Sequence, residues 1–189
     1  MIRLARRLGS VAALGLAYLA LAVAMTWPLA AHLRDAVPGP PWDNLVWLYD
    51  LWWTQRTWLQ GQGNALYNPG LFAPFGYDLT LSETMPANKL LALPFLAAAG
   101  PVVAYNGLVL MSYCLSGLGM YLLVRELTGS RAAGWVSGVI FASAPYRMHA
   151  LAAGWLPLLS TQWLPLAFWA LERGLRRRRW GWFALSGAM

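Results

Sequence analysis

The residues able to do chemistry in this chain are few and close together. Five of its seven acidic side chains, Asp35, Asp43, Asp50, Asp78 and Glu83, fall between residues 35 and 89. Asp43 follows Pro38-Gly39-Pro40-Pro41, a run that forbids helix, and precedes a helical pattern from Asn44 to Gln60. A carboxylate at such a boundary suits a general base, or else it caps the helix. Asn44 could cap equally well, so capping does not account for both residues. Glu83, within Leu81-Ser82-Glu83-Thr84-Met85-Pro86, is the second catalytic candidate. Its plain alternative is a local cap or a solvated loop charge.

Three further residues are assigned to substrate binding: Asp50, Arg147 and His149. Asp50, like Asp78, reads as a surface charge more than as a catalyst. Arg147 and His149 belong to Pro145-Tyr146-Arg147-Met148-His149, a turn between apolar runs. An arginine at the mouth of a helix pair suits a lipid phosphate, or it snorkels at an interface. His149 reads as an interfacial spacer more than as a ligand. Two histidines and one cysteine are too few for a histidine/cysteine metal site. Carboxylates leave a divalent cation open. No Gly-rich phosphate loop, nucleophile elbow or metalloprotease His-Glu pair is present.

The elements that must position these residues are apolar. The 189 residues are 59% hydrophobic and 11% charged, with twelve Trp and a mean hydropathy of +0.47. Soluble domains run nearer a quarter charged, and indoles favour the membrane–water boundary. The class expected is an all-α polytopic membrane protein with the lipid bilayer as partner. The net charge of +7 sits in clusters between apolar runs, which argues for anchored helix ends and no nucleic acid. Cys114 lies in an apolar run and reads as packing.

Spans are expected at about 10–33, 102–124, 132–146 and 151–171, with a fifth begun at 180–189. Ala22-Val23-Ala24 resembles a signal-peptide cleavage site, but the apolar run continues through Trp27, Pro28 and Leu29, which favours an uncleaved helix. The run Leu90–Ala99, interrupted by Pro94, is too short to cross. Arg3/Arg6/Arg7, Arg125/Arg131 and Arg173/Arg176–Arg179 fall at alternate ends of successive spans. The positive-inside rule makes that side cytoplasmic, so the N-terminus is inside and the loop 34–89 outside. The chain reads as one N-terminal transmembrane region of a longer protein, or as a truncated product. Within the loop, Leu45, Leu48, Trp52 and Leu59 form a greasy stripe. Asp50, Thr54 and Thr57 form a polar one, with Asp43 on the same side. Such a helix would lie on the outer leaflet and hold its acids toward the protein.

Several segments carry a resemblance: Thr26-Trp27-Pro28-Leu29, Pro41-Trp42-Asp43-Asn44, Phe72-Ala73-Pro74-Phe75-Gly76, Ser82-Glu83-Thr84, Phe141-Ala142-Ser143-Ala144-Pro145-Tyr146-Arg147 and Gln162-Trp163-Leu164-Pro165-Leu166. In this order they resemble the N-terminal region of bacterial multi-pass glycosyltransferases of the GT-C type. That group is related to protein mannosyltransferases, aminoarabinose transferases and YfhO-like membrane proteins. The resemblance implies transfer of a sugar from a polyprenyl-phosphate donor to an acceptor at the outer face of the bacterial plasma membrane. It implies Asp43 as general base or metal ligand; Asp43-Asn44 stands where some members have Asp-Glu or Asp-X-Asp. Later loops would supply cations for the carrier phosphate, so this chain alone is expected to be inactive. Two other classes compete: a transporter or flippase component, which would carry ionisable residues inside its spans, and a non-enzymatic membrane assembly protein.

Overall fold

The computed structural model describes the backbone of residues 2–189 and the side chains from Ala12 onward. The side chains of Arg3, Arg6 and Arg7, used above for orientation, lie outside the described residues. Continuous apolar runs leave backbone groups no partner but their own chain, and helices result. Helix α1 spans Ile2–Met25 and ends where the Thr26 hydroxyl donates back to the Ala22 carbonyl at 2.8 Å. A single 3-10 turn, Leu29–Ala31, follows. Helix α2, Asp43–Thr54, widens into a π turn at Gln55–Leu59. Two short strands, β1 (Tyr67–Asn68) and β2 (Tyr77–Asp78), pair antiparallel, with Tyr67 opposite Asp78.

Helix α3, Pro86–Thr128, is the axis of the molecule. Among the described residues it is the one helix long and apolar enough to cross a membrane. Pro86 opens it, and Gly129 closes it in the left-handed region at φ 73°. The apolar run Leu90–Ala99 belongs to it: Pro94 is absorbed, and the helix bends at Gly100 (φ 82°, ψ −174°) before Pro101. Helices α4 (Arg131–Ala142), α7 (Trp163–Arg177), α1 and α2 all pack on α3. The core gathers around Leu51, Leu96, Tyr105, Val109, Leu156 and Leu159. Asn106, fully buried on α3, donates to the carbonyls of Leu33 and Ala36 at 3.1 and 2.7 Å. That amide fixes the chain leaving α1.

Several expected boundaries are corrected. The first helix stops at Met25, short of 33, where Thr26-Trp27-Pro28 turns the chain. Helix α4 has twelve residues, a rise of about 18 Å against a hydrocarbon core of roughly 30 Å. The run 151–171 is not one helix. It divides among α5 (Pro145–Ala153), α6 (Leu156–Leu159) and α7, because Gly154 adopts φ 75° and Ser160-Thr161-Gln162 interrupts the repeat. The last segment forms α8, Trp180–Gly187. The strand pair was not expected; its residues lie in a Gly/Pro/Asn-rich run without alternation.

Tyr18 of α1 is 1% exposed and wedged where glycines let α3 and α4 meet. A Cβ on Gly117 would lie 2.5 Å from the Tyr18 ring, and one on Gly138 would lie 2.5 Å from the Gly117 carbonyl. Close approach of this kind needs small residues. Gly117→Ala and Gly138→Ala are expected to destabilise by about 1–3 kcal/mol each through overpacking. Gly15→Ala, with nothing within 4 Å, should be neutral or gain up to about 1 kcal/mol in helix propensity. Thermal unfolding followed by circular dichroism separates the three; equal loss at all three positions would contradict the wedge.

Candidate functional site

Asp43 is the first residue of α2, not its cap. The capping position is Trp42, which makes no side-chain cap bond. The Asp43 side chain is exposed, and its Oδ2 accepts from Trp155 Nε1 at 2.6 Å. Asn44 faces the other way and is 2% exposed. Its Nδ2 donates to the carbonyls of Pro38 and Gly39 at 3.1 and 3.2 Å. The pair therefore divides its work: Asn44 anchors the Pro-rich loop, and Asp43 looks outward. A carboxylate in a first turn also meets the positive end of the helix dipole.

Trp155 was not identified from sequence. It is placed by Gly154, whose carbonyl accepts from Tyr105 Oη at 3.1 Å. Gly154 stands so near Asn44 that a Cβ would meet the Asn44 Cβ at 2.8 Å. His149 is exposed and its ring packs edge-on to Trp155, with centroids 5.3 Å apart. Asp43, Trp155 and His149 thus form a file drawn from α2, the α5–α6 turn and α5.

Glu83 reaches the same place from the loop before α3. A cleft of ≈ 290 Å³ is lined by Asp43, Trp47, Glu83, Trp155, Pro157 and Leu158. Both catalytic candidates therefore share one wall, although forty positions separate them. A second cleft of ≈ 540 Å³ shares Trp47 and Glu83 with the first and extends beneath α2 to Asp50 and the strand pair. Among the described residues no group of three or more His, Cys, Asp or Glu could hold a metal ion. The two carboxylates of the smaller cleft do not make an all-protein cage.

The two expected stripes are only partly sorted. Leu45, Trp52 and Leu59 are exposed and Thr54 is buried, but Leu48 packs against the core, Leu51 and Trp53 are buried, and Asp43 is exposed. Asp50 accepts from Lys89 Nζ at 2.8 Å, with the two side chains 14% and 7% exposed. Its Oδ2 is buried without a partner. Burial pushes the Asp50 carboxyl above its ordinary value, and the Lys89 charge and hydrogen bond oppose that rise. Asp78 is structural. Its Oδ1 accepts from the Thr80 amide and hydroxyl at 2.9 and 2.7 Å, bonds that lower its pKa.

Arg147 overturns its expected place. It is 1% exposed, so it neither grips a phosphate at the surface nor snorkels there. Nε donates to the Ala142 carbonyl at 3.2 Å. Nη1 donates to Ser116 Oγ and the Leu159 carbonyl, both at 2.9 Å, and to Thr161 Oγ1. Nη2 donates to Ser112 Oγ at 3.2 Å, and the guanidinium stacks 4.4 Å from the Tyr113 ring centroid. Neutral acceptors and an aromatic face take over from water. The missed signal was Ser112 and Ser116, one helical turn apart in an apolar run, with Ser160-Thr161-Gln162 to meet them.

Removing Lys89 leaves Asp50 as a buried charge, so Lys89→Met is expected to destabilise by about 3 kcal/mol at neutral pH. Because the folded pKa of Asp50 is raised, its contribution is present at low pH and lost as pH rises through that folded value. The cost of Lys89→Met should therefore shrink on acidification, as a neutral Asp50 needs no counter-charge. Thermal unfolding of both proteins across pH checks this; a cost independent of pH would contradict it. Comparison with protein-family models, curated proteins and solved structures finds no match to this chain.

Proposed function

We propose that this chain forms the catalytic outer region of a polytopic membrane glycosyltransferase of GT-C type, moving a sugar from a polyprenyl-phosphate donor to an acceptor hydroxyl. The observation that carries the reading is the single cleft lined by both Asp43 and Glu83. Supporting it are the exposed apolar side chains of α2 and the π turn after it, Leu45, Val46, Trp52, Trp58 and Leu59, which suit a helix resting on a lipid surface. The long apolar α3 is in keeping with a membrane setting. Exposed indoles at Trp27 and Trp42 fit the interfacial zone.

In this reading the Asp43 carboxylate takes the proton of an acceptor hydroxyl. The freed oxygen attacks the anomeric carbon, and the bond from that carbon to the phosphate oxygen breaks. Polyprenyl phosphate leaves with the electron pair, and the anomeric configuration inverts. Trp155 holds Asp43 Oδ2 and so sets the carboxylate plane. Glu83, across the cleft, accepts a hydrogen bond from the incoming sugar. Arg147 has no part in holding the phosphate, since it is enclosed in the bundle. His149 supports Trp155.

The test compares the intact gene product with Asp43→Asn in the host membrane at matched levels. Lipid extracts are profiled by mass spectrometry and surface glycans by composition. Transfer should fall about 10²- to 10⁴-fold, with the sugar-charged carrier accumulating and a surface glycan losing that sugar. Trp155→Phe, which keeps an aromatic ring but no donor, should give a smaller loss of the same kind. Unchanged lipid and glycan profiles in Asp43→Asn would remove the enzymatic reading and favour an assembly role.

A further inference from the structure

The larger cleft is built more carefully than a gap between a helix and a loop requires. Tyr49 Oη and Asn68 are hydrogen-bonded to each other at 3.1–3.3 Å, and Asn68 is 1% exposed. Trp53 Nε1 donates to the Asn64 carbonyl at 3.2 Å, which fastens the loop to α2. Phe72 stands at the rim, 72% exposed, with its ring 5.2 Å from that of Tyr77. Its backbone sits at φ 52°, a left-handed conformation that is an outlier for a bulky residue. The conformation opens a turn in which the Phe75 amide donates to the Phe72 carbonyl at 3.1 Å, and left-handed strain of this kind clusters at ligand sites.

The chemistry of the lining narrows the ligand. Trp47, Tyr49, Trp53, Phe72 and Tyr77 supply aromatic surface. Glu83 brings an exposed carboxylate that also lines the smaller cleft, while Asp50 in the wall keeps one oxygen on Lys89 and the other sealed from solvent. The cation nearest Asp50, Lys89, is already spent on it. An anion would therefore meet the Glu83 carboxylate and no free positive charge. A purely apolar chain would cover that carboxylate without giving it a hydrogen bond. A sugar ring satisfies both demands, since its C–H face packs on aromatic rings and a hydroxyl reaches the carboxylate at its edge. The volume of ≈ 540 Å³ lies within the range of small-molecule sites.

We infer that the larger cleft binds an uncharged sugar ring of the acceptor, stacked against Phe72 and Tyr77 and hydrogen-bonded to Glu83. Because the two clefts meet at Trp47 and Glu83, that ring presents a hydroxyl to the Asp43 cleft. The assignment of this sugar as acceptor rests on the glycosyltransferase reading; its binding in the larger cleft does not.

The test uses the purified chain in a sugar-free amphipol and saturation-transfer difference NMR. The probes are neutral methyl glycosides of hexoses and pentoses, methyl glucuronide as their anionic counterpart, and cyclohexanol as an apolar ring. At least one neutral glycoside should give ring C–H signals with wild type. Its affinity should drop about tenfold in Phe72→Ala and return in Phe72→Tyr. Methyl glucuronide should bind at least about tenfold more weakly than its neutral partner, since its charge repels Glu83. Absence of signal from every glycoside, no effect of Phe72→Ala, or equal binding by cyclohexanol would overturn the inference. In host membranes, Phe72→Ala should raise the acceptor KM with little change in kcat. If Asp43→Asn abolishes transfer while Phe72→Ala leaves KM unchanged, the glycosyltransferase reading stands and the acceptor cleft falls. If glycosides bind but Asp43→Asn leaves transfer intact, the cleft stands and the enzymatic reading falls.

Discussion

The arrangement depends on one enclosed charge, the Arg147 guanidinium. A cation taken out of water must be met on every side or it will not stay folded inside. Here Ser112 and Ser116 of α3, the Ala142 carbonyl at the end of α4, the Leu159 carbonyl of α6 and Thr161 converge on it. Satisfying one side chain thus binds four segments to each other. Gln162 extends the network: its Oε1 lies 2.8 Å from Ser112 Oγ, and its Nε2 donates to Asn88 at 3.1 Å. Asn88 lies in the first turn of α3, so the lattice of polar contacts runs from the base of that helix to the break between α6 and α7.

The site inherits its geometry from this lattice. Arg147 holds α5 and α6, and the turn between them carries Gly154 and Trp155. Gly154 meets Asn44 and Gly39 at distances that tolerate no side chain, which seats the Pro-rich loop and the start of α2. Asp43 then finds the Trp155 indole at 2.6 Å. A charge that does no chemistry in this reading fixes the position of one that does.

Helix α2 shows the complementary constraint. Its inner face mixes apolar and polar groups: Leu51 and Trp53 are buried, and Asp50 can turn inward beside them because Lys89 of α3 neutralises it. Leu45, Val46 and Trp52 are left exposed. The strand pair and Phe72 close over one flank of α2 to form the larger cleft.

Much of this was determined by the sequence alone. Long apolar runs dictate helices, the Pro38–Pro41 run dictates where α2 can begin, and the spacing of Leu45, Trp52, Asp50 and Thr54 dictates its two faces. Asp43 and Glu83 were legible as candidates because acids are scarce in so apolar a chain. Local pattern reports what a residue's neighbours along the chain permit, and it stops there. That Asp43 and Glu83 line one cleft, that Trp155 answers Asp43 across 112 positions, and that the run 151–171 breaks into separate helices were decided by packing. Arg147 makes the reason plain. A lone arginine beside a proline reads as a surface charge until folding brings two serines, a threonine, two carbonyls and a tyrosine ring around it. Those partners lie from 5 to 35 positions away, and only the tertiary structure brings them together.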